Sequence, residues 1–348
     1  MKSKIFLDRM KAVFSSCEKD KIDALIIEKP IDLFYLTGLH LSAGALIIYK
    51  KEATLLVDGR YIGFATKNAP CSCELLSAKN IEKNLKSFSR IGFDSTETSY
   101  ERWEEFKKQS QKSLVPLQHP TQSTRAIKNH AELKALKKSA ALLWKGFQHL
   151  KKMLKPGITE QELALCFELF CLKHGAEKMA FDPIVAFGKN TAFPHYKPSN
   201  TRLKKGDIVL CDLGVVIDHY HSDMTRTFFF GKPDPRLILF EAVVKDAHDA
   251  ALQLCRPGAK VGELDQAAQA VIKKAGLEKY LAHSLGHGVG LEIHEFPRLK
   301  FKGADHNVVL KEGMVITIEP GLYWPGVGGF RYEDTIVITQ KGYENWYS

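Results

Sequence analysis

The stretch DLGVVIDHYHSD, residues 212–223, places an aspartate at each end of one predicted β-hairpin. The flanking segments DIVLC and MTRTFFFG are apolar and rich in β-branched or aromatic residues, which is typical of strands. A turn centred between Ile217 and Asp218 sets Asp212 directly opposite Asp223. Because facing carboxylates repel one another across a sheet, the hairpin predicts a positive charge between them.

A second acidic pair lies in ITIEPGLYWPGVGGFRYEDTIVI, residues 316–338. A loop centred on Gly326 places Glu319 opposite Glu333, and the loop has the glycine and proline content of a turn. For either pair alone, a solvent-facing position is an equally good interpretation. Two pairs with symmetric turns and aliphatic neighbours favour one buried site, and buried carboxylates need cations.

Three histidines lie between these hairpins, in HSLGHGVGLEIHEFP, residues 283–297. Glycines flank His287 on both sides, which disfavours a helix carrying His283 and His287 and favours a close approach of the backbone, as at a crowded site. A single buried histidine is usually a core residue. Together with His294 and the glycines, the group instead indicates chemistry.

Four carboxylates and one imidazole, without a thiolate, suit Mn, Co, Fe or Zn better than copper. One divalent ion would leave excess negative charge, whereas two ions balance four carboxylates and can be bridged at about 3.5 to 4 Å. Such a pair activates a shared water and polarises a carbonyl, so the residues predict metal-assisted hydrolysis. The predicted ligands are Asp212, Asp223, His287, Glu319 and Glu333.

Residues two apart on a strand point to the same side of the sheet, which places two further residues on the side of the predicted metal ligands. Arg331 shares a side with Glu333, and Thr225 shares a side with Asp223. Thr225 is expected to support a ligand by hydrogen bonding. Arg331 either orients a carboxylate or a substrate carbonyl, or forms a structural salt bridge.

The whole chain has 348 residues, 45% hydrophobic and 26% charged, which is ordinary globular composition and long enough for two domains. Without a long apolar run, the sequence predicts a cytoplasmic protein that does not enter a membrane. The net charge of +10 comes from dispersed Lys and Arg, so nucleic-acid binding is disfavoured. The seven cysteines are interpreted as reduced core residues, and the Cys71/Cys73 pair lacks zinc-finger spacing.

The first third of the chain predicts a small α/β layer domain. Its strands are DALIIE, GALIIYK, ATLLVD and RIGFD, its helices are RYIGFATKNA and SYERWEEFKKQS, and HPTQSTRAIKN ends it. Further on, helices are predicted to start near Asn129 and Thr159, each with a glutamate three residues later. After residue 183, strands and glycine-rich turns with one helix across DQAAQAVIKKAG predict helices packed outside an antiparallel sheet.

The motifs D-L-G, S-D-M-T-R-T, G-H-G-V-G, I-E-P-G and R-Y-E-D around the five predicted ligands resemble the pita-bread metallopeptidases: methionine aminopeptidase, prolidase and aminopeptidase P. YLTG and VDGRY are similar to the creatinase/prolidase N-terminal domain, which simple methionine aminopeptidases lack. The resemblance implies an α/β (α+β) fold, with that domain at residues 1–124 and a pita-bread catalytic domain at 125–348. It also implies two divalent metal ions, commonly manganese or cobalt, and a homodimer.

The same resemblance implies roles for further residues. His294 in H-E-F-P is expected to contact the scissile peptide, His283 to be a substrate-side histidine, and His195 in F-P-H-Y to lie on the opposite wall. Arg331 falls where aminopeptidase P-like members carry an active-site arginine, and Glu319 is expected to shuttle a proton.

The implied function is an aminopeptidase that cleaves between an N-terminal residue and a penultimate proline by attack of a metal-bridging hydroxide. On this interpretation, peptides of three or more residues are better substrates than Xaa-Pro dipeptides, because no second cation can be assigned to the proline carboxylate from the sequence. The alternatives are a prolidase restricted to Xaa-Pro dipeptides and a non-catalytic binding module on the same fold.

Overall fold

The computed structural model describes residues 2–50 and 52–347. The chain divides into two compact units, Met1–Arg125 and Ala126–Ser348. The division falls inside the predicted boundary segment HPTQSTRAIKN. Each unit has its own hydrophobic core.

The N-terminal unit is a mixed sheet with helices, as the sequence predicts. The strands are β1 (Ala24–Ile27), β2 (Ala45–Tyr49), β3 (Glu52–Val57), β4 (Ser72–Leu75), β5 (Arg90–Asp94) and β6 (Ser113–Leu117). The helices are α1 (Lys2–Ser16), α2 (Pro30–Thr37), α3 (Ile62–Asn68), α4 (Ala78–Leu85), α5 (Tyr100–Ser110) and the boundary helix α6 (Gln122–Ala126). The strands pair in the order β4-β3-β2-β1-β5-β6, with parallel pairs β1/β5, β5/β6 and β3/β4. Gly38, in the left-handed conformation, ends α2, and serine N-caps begin α4 and α5.

In the C-terminal unit, long helices flank antiparallel strands. The two predicted helix starts are confirmed: Asn129 with Glu132 and Thr159 with Glu162 each form a capping box at the start of a helix. One helix was not predicted; it begins at Pro235 behind the Asp234 N-cap, a standard helix-start pattern. The helices are α7 (His130–Lys152), α8 (Glu160–Lys173), α9 (Pro235–Leu252) and α10 (Val261–Lys274).

The strands of this unit form short ladders whose ends meet at one place. Before α9 lie β7 (Lys178–Met179), β8 (Ile184–Phe187), β9 (Asp207–Leu213), β10 (Val215–Ile217), β11 (Tyr220–His221) and β12 (Met224–Phe230). After α10 lie β13 (Gly286–Gly288), β14 (Glu295–Leu299), β15 (Val315–Ile318), β16 (Gly321–Trp324), β17 (Gly328–Arg331), β18 (Asp334–Thr339) and β19 (Gly342–Asn345). The strands pair in the orders β11-β10-β7, β12-β9-β8, β14-β13-β15-β18-β19 and β16-β17.

The register of the first hairpin differs from the prediction. Asp212 pairs with Thr225, not with Asp223, because the turn is centred one residue later than expected, between Asp218 and His219. Both turn residues have positive φ, 49° and 70°, as a tight hairpin turn of primed type requires. The predicted direct pairing of the two aspartates is therefore wrong, although both remain on the same face because the shift is two residues.

The register of the second hairpin is as predicted. Ile318 pairs with Asp334 and Gly321 pairs with Arg331, so the loop centres on Gly326. Gly326 has a φ of 79°, a conformation that glycine adopts without strain.

Two further features bear on the predictions from composition. None of the helices that the structure describes combines the length and the apolar character of a membrane span. The cysteines of the described chain are free thiols, and Cys17, Cys171, Cys211 and Cys255 are buried, as expected for reduced core cysteines.

Candidate metal centre

The strand ends of the C-terminal unit bring every predicted site residue to one cavity of about 580 Å³. The acidic residues come from the ends of β9, β12, β15 and β18, and His287 comes from the middle of β13. The cavity is lined by Asp212, Asp223, His287, Glu319, Glu333, His195, His283, His294 and Arg331.

Three of the predicted ligands form the tightest group. Ligand atoms of Asp223, His287 and Glu333 all lie within 4.8 Å of one another. The Nε2 atom of His287 is 3.6 Å from Asp223 Oδ2 and 3.4 Å from Glu319 Oε1. Its Nδ1 atom lies 2.9 Å from the carbonyl oxygen of Gly288, to which an Nδ1–H donates. The lone pair of Nε2 therefore faces the carboxylates, the orientation of a metal-binding histidine.

The carboxylates of this group destabilise one another. Burial raises the pKa of Asp223 well above its usual range, and the charges of Glu333 and Asp212 raise it further. Burial also raises the pKa of Glu333, with Glu319 as the next contribution. The pKa of Glu319 rises to about 8 through burial, against the opposing effect of Arg331. One arginine does not balance four acids at the same site, two of them buried and two half-buried, so the group needs further positive charge.

These residues fit divalent cations. The Oδ1 atom of Asp212 is buried and has no hydrogen-bond partner within residues 2–50 and 52–347, as expected for an atom reserved for a cation. The donor set of carboxylates and one imidazole is hard to borderline in character. The ions would be held by Asp212, Asp223, His287, Glu319 and Glu333.

Arg331 is tied to protein groups around the ligands. Its Nη2 donates to Asp212 Oδ2 at 2.5 Å, and its Nε donates to Thr225 Oγ1 at 3.1 Å. Thr225 in turn donates to Glu333 Oε2 at 2.8 Å, which places it in the predicted supporting position. Arg331 thus forms the salt bridge that the sequence left as an alternative, and it orients two of the acids.

Both ring nitrogens of His283 have protein partners. Nδ1 lies 2.9 Å from the carbonyl oxygen of Ser284, and Nε2 lies 2.7 Å from the hydroxyl of Tyr323, which also accepts a hydrogen bond from Arg331 at 2.6 Å. Burial lowers the pKa of His283 to about 4, so the ring is neutral. The predicted substrate-side histidine therefore lines the cavity with its ring nitrogens already engaged.

His294 and His195 differ from His283 in this respect. Both are exposed in the cavity, and neither ring has a hydrogen-bond partner in the part of the chain that the structure describes. The ring of His294 packs edge-on against that of His287, with centroids 4.3 Å apart. Partial desolvation of the ring inside the cavity lowers the pKa of His294, and the nearby charge of Arg298 lowers it further. A neutral imidazole with free nitrogens can bind a substrate atom.

Sequence reasoning missed Tyr323, which contacts His283 and Arg331, and Arg298, which lines the cavity. Tyr323 lies four residues after Glu319, so strand parity carried past Pro320 would have placed it on the same face. Arg298 lines the cavity opposite His287 in the β13/β14 ladder. No spacing rule connects residue 298 to residue 287, because a β-bulge interrupts that ladder.

Similarity to known proteins agrees with this architecture. Residues 134–340 match the metallopeptidase family M24, and residues 9–127 match the creatinase/prolidase N-terminal domain. The Xaa-Pro dipeptidase of Pyrococcus furiosus is 36% identical over 338 residues, which cover 96% of this chain and 96% of the relative.

Solved structures have the same fold. The Xaa-Pro dipeptidase from Bacillus anthracis has a TM-score of 0.94 at 31% identity and covers 99% of this chain and 98% of its own. The X-Pro aminopeptidase from Thermotoga maritima has a TM-score of 0.85 at 26% identity, with 96% and 97% covered. The predicted fold, a creatinase/prolidase-like α/β domain followed by a pita-bread catalytic domain, is confirmed. This chain belongs to metallopeptidase family M24.

Proposed function

We propose that this protein is a metal-dependent Xaa-Pro dipeptidase. The proposal reverses the preference expected from the sequence, in which longer peptides with proline second were the better substrates. It is supported by relatives named Xaa-Pro dipeptidase at 36% identity along nearly the whole chain. The observation that carries it is a cation in the cavity that the sequence did not reveal, Arg298.

A dipeptide has its carboxylate directly beside the bond to be cut, so a dipeptidase needs a cation close to the reacting atoms. Arg298 lines the cavity with an exposed side chain, and no carboxylate of residues 2–50 or 52–347 forms an ion pair with it. Burial lowers the pKa of His294 most and the charge of Arg298 next, and for His287 this charge adds a smaller contribution after burial and the charge of His294, so Arg298 lies near both rings. An arginine fork binds a carboxylate through two hydrogen bonds.

The residues around this cation have distinct roles in the proposed reaction. Divalent ions held by the five ligands would activate water and polarise the scissile carbonyl. Glu319 takes the proton released by the attacking water and delivers it to the leaving proline nitrogen. His294 donates to the developing oxyanion, and Arg298 holds the product-side carboxylate. Arg331 keeps Asp212 in place.

The proposal also includes the native metal and the oligomeric state. Manganese as the native metal and a homodimer both rest on the family resemblance. Metal analysis of the protein purified without added metal, and its mass in solution, measure these two properties directly.

The test compares three substrates on manganese-loaded protein: Ala-Pro, Ala-Pro-Ala and the amide of Ala-Pro. We expect Ala-Pro to have the highest kcat/KM, because it alone places a carboxylate at Arg298. Arg298→Ala should lower kcat/KM for Ala-Pro by about 10- to 100-fold, the effect of losing a hydrogen-bonded charge, with little change for the amide. Lys300→Ala, which removes an exposed charge outside the cavity, is the matched control.

Other outcomes lead to different functions. Faster cleavage of Ala-Pro-Ala than of Ala-Pro in the wild type would favour the aminopeptidase interpretation. Stoichiometric metal without cleavage of any Xaa-Pro peptide would favour a binding module.

A further inference from the structure

The C-terminal unit contains a buried acid that the proposed reaction does not use. Glu160, in the first turn of α8, is 0% exposed. No lysine or arginine within residues 2–50 and 52–347 forms an ion pair with it. Its charge is instead balanced by hydrogen bonds. A fully buried glutamate without a cationic partner is rare, so strong hydrogen bonds to its carboxylate must stabilise this one.

The donors all come from one segment, residues 187–201. Oε1 accepts from the backbone N–H of Phe187 at 2.8 Å and from the Asn190 amide at 2.9 Å. Oε2 accepts from the Tyr196 hydroxyl at 2.9 Å, and from the backbone N–H and hydroxyl of Ser199 at 3.0 and 2.7 Å. One carboxylate thus joins both ends of an irregular segment, which we name the His195 loop (residues 188–201).

The His195 loop forms one wall of the cavity. Pro194, His195, Lys197 and Pro198 all line it. A second tie holds the loop from the other side, because Thr191 Oγ1 accepts the backbone N–H of Gly329 at 2.8 Å. Between these ties His195 itself has no hydrogen-bond partner in the described residues. The orientation of its ring relative to a substrate therefore depends on the loop backbone.

We propose that Glu160 is a positioning residue for His195, fixing the loop that presents this histidine to the substrate. The proposal rests on the proposed function for the identity of the substrate that His195 meets in the cavity, but the anchoring itself does not. Glu160 does not reach the cavity, so it acts through the loop alone. Two prolines in the loop, Pro194 and Pro198, limit its other conformations, so that few anchors are needed to fix it.

The isosteric variant Glu160→Gln is a sharp probe. Each carboxylate oxygen accepts a backbone N–H, one from Phe187 and one from Ser199. Either orientation of a glutamine amide therefore turns its NH2 group against a backbone donor. Glu162→Gln is the matched control, because Glu162 lies two residues away in the same first turn and bonds only to Thr159 in the capping box.

The first measurement is hydrogen exchange, which does not depend on activity. We expect Glu160→Gln to speed amide exchange across residues 188–201, and Glu162→Gln to affect only the start of α8. Metal content should equal that of the wild type in both variants. Unchanged exchange in the loop of Glu160→Gln would overturn the proposal. Should Glu160→Gln fail to fold, Ser199→Ala, which removes one donor, is measured in the same way.

The second measurement is a double-mutant cycle with His195→Ala. Glu160→Gln should lower kcat/KM for Ala-Pro by about 10- to 100-fold, as expected for a misplaced group. In the His195→Ala background it should lower kcat/KM by less than about twofold. Equal losses in the two backgrounds would show that Glu160 does not act through His195. A wild type that cleaves no Xaa-Pro peptide would contradict the proposed function, while exchange in the loop would still decide whether Glu160 anchors it.

Discussion

The three histidines of the segment 283–294 have different roles because their rings make different contacts. His287 directs Nε2 at two carboxylates, whereas His294 packs against His287 and keeps its nitrogens free. Motif similarity identified both residues, since each has a recognisable local setting. The sequence could not reveal that the ring nitrogens of His283 are both engaged, because Tyr323 is brought to it by tertiary packing.

The different contacts of His287 and His294 lead to opposite expectations for metal binding. His287→Ala should lose metal and activity together, because a ligand is removed. His294→Ala should keep wild-type metal content but lose about 100- to 1,000-fold in kcat, the usual effect of removing one oxyanion donor. Metal analysis and Ala-Pro kinetics on both variants measure the difference. Equal metal loss in the two variants would show that this assignment of roles is wrong.

At the scale of elements, the predicted register of the first hairpin was wrong, but the side of the sheet predicted for its two aspartates was right. The first hairpin turns one residue later than predicted, which moves the partner of Asp212 by two residues and leaves the facing side unchanged. The side of the sheet on which a strand residue lies is therefore predicted more reliably than its partner on the neighbouring strand. The turn position was missed because it depends on Asp218 and His219 adopting positive φ, which their residue types allow but do not require.

That turn offers a stability test far from the chemistry. His219 has a φ of 70°, which costs a non-glycine residue about 1 kcal/mol or more. We expect His219→Gly to be more stable than His219→Ala by about 1 kcal/mol, seen as a Tm about 2 to 4 °C higher. Both variants lose the same contact with Glu177, so the comparison isolates the backbone. Neither should change kcat/KM, and a more stable alanine variant would contradict the strain argument.

At the scale of the whole molecule, the two-part architecture follows from local patterns, while the site depends on long-range pairing. Capping boxes and alternating apolar runs identified α7, α8 and most N-terminal strands, because those signals lie within a few residues. The helix α9 was missed although Asp234-Pro235 marks its start. The position of Glu160 against the His195 loop could not be predicted, since the loop has no periodic pattern.

The buried carboxyl group of Glu333, a predicted metal ligand, lowers the stability of the metal-free protein. Glu333 is 1% exposed, and burial together with Glu319 and Asp212 raises the pKa of its carboxyl, so its ionisation costs free energy that a neutral glutamine avoids. At pH 8 and without metal, we expect Glu333→Gln to raise Tm by at least about 2 °C. The exposed Glu312→Gln, which removes a charge outside the cavity, should leave Tm unchanged.

With metal bound, the wild type should have a higher Tm than Glu333→Gln. Saturating Mn²⁺ should raise the wild-type Tm by about 5 °C or more, because it binds only the folded state, and the chelator EDTA should remove the gain. Mn²⁺ should raise the Tm of Glu333→Gln only a little, since one ligand is missing and the site carries less negative charge. Calorimetry with and without Mn²⁺ separates the two contributions. A metal-free variant less stable than the metal-free wild type would mean that Glu333 is held by favourable contacts, such as the Thr225 hydrogen bond, that outweigh the repulsion.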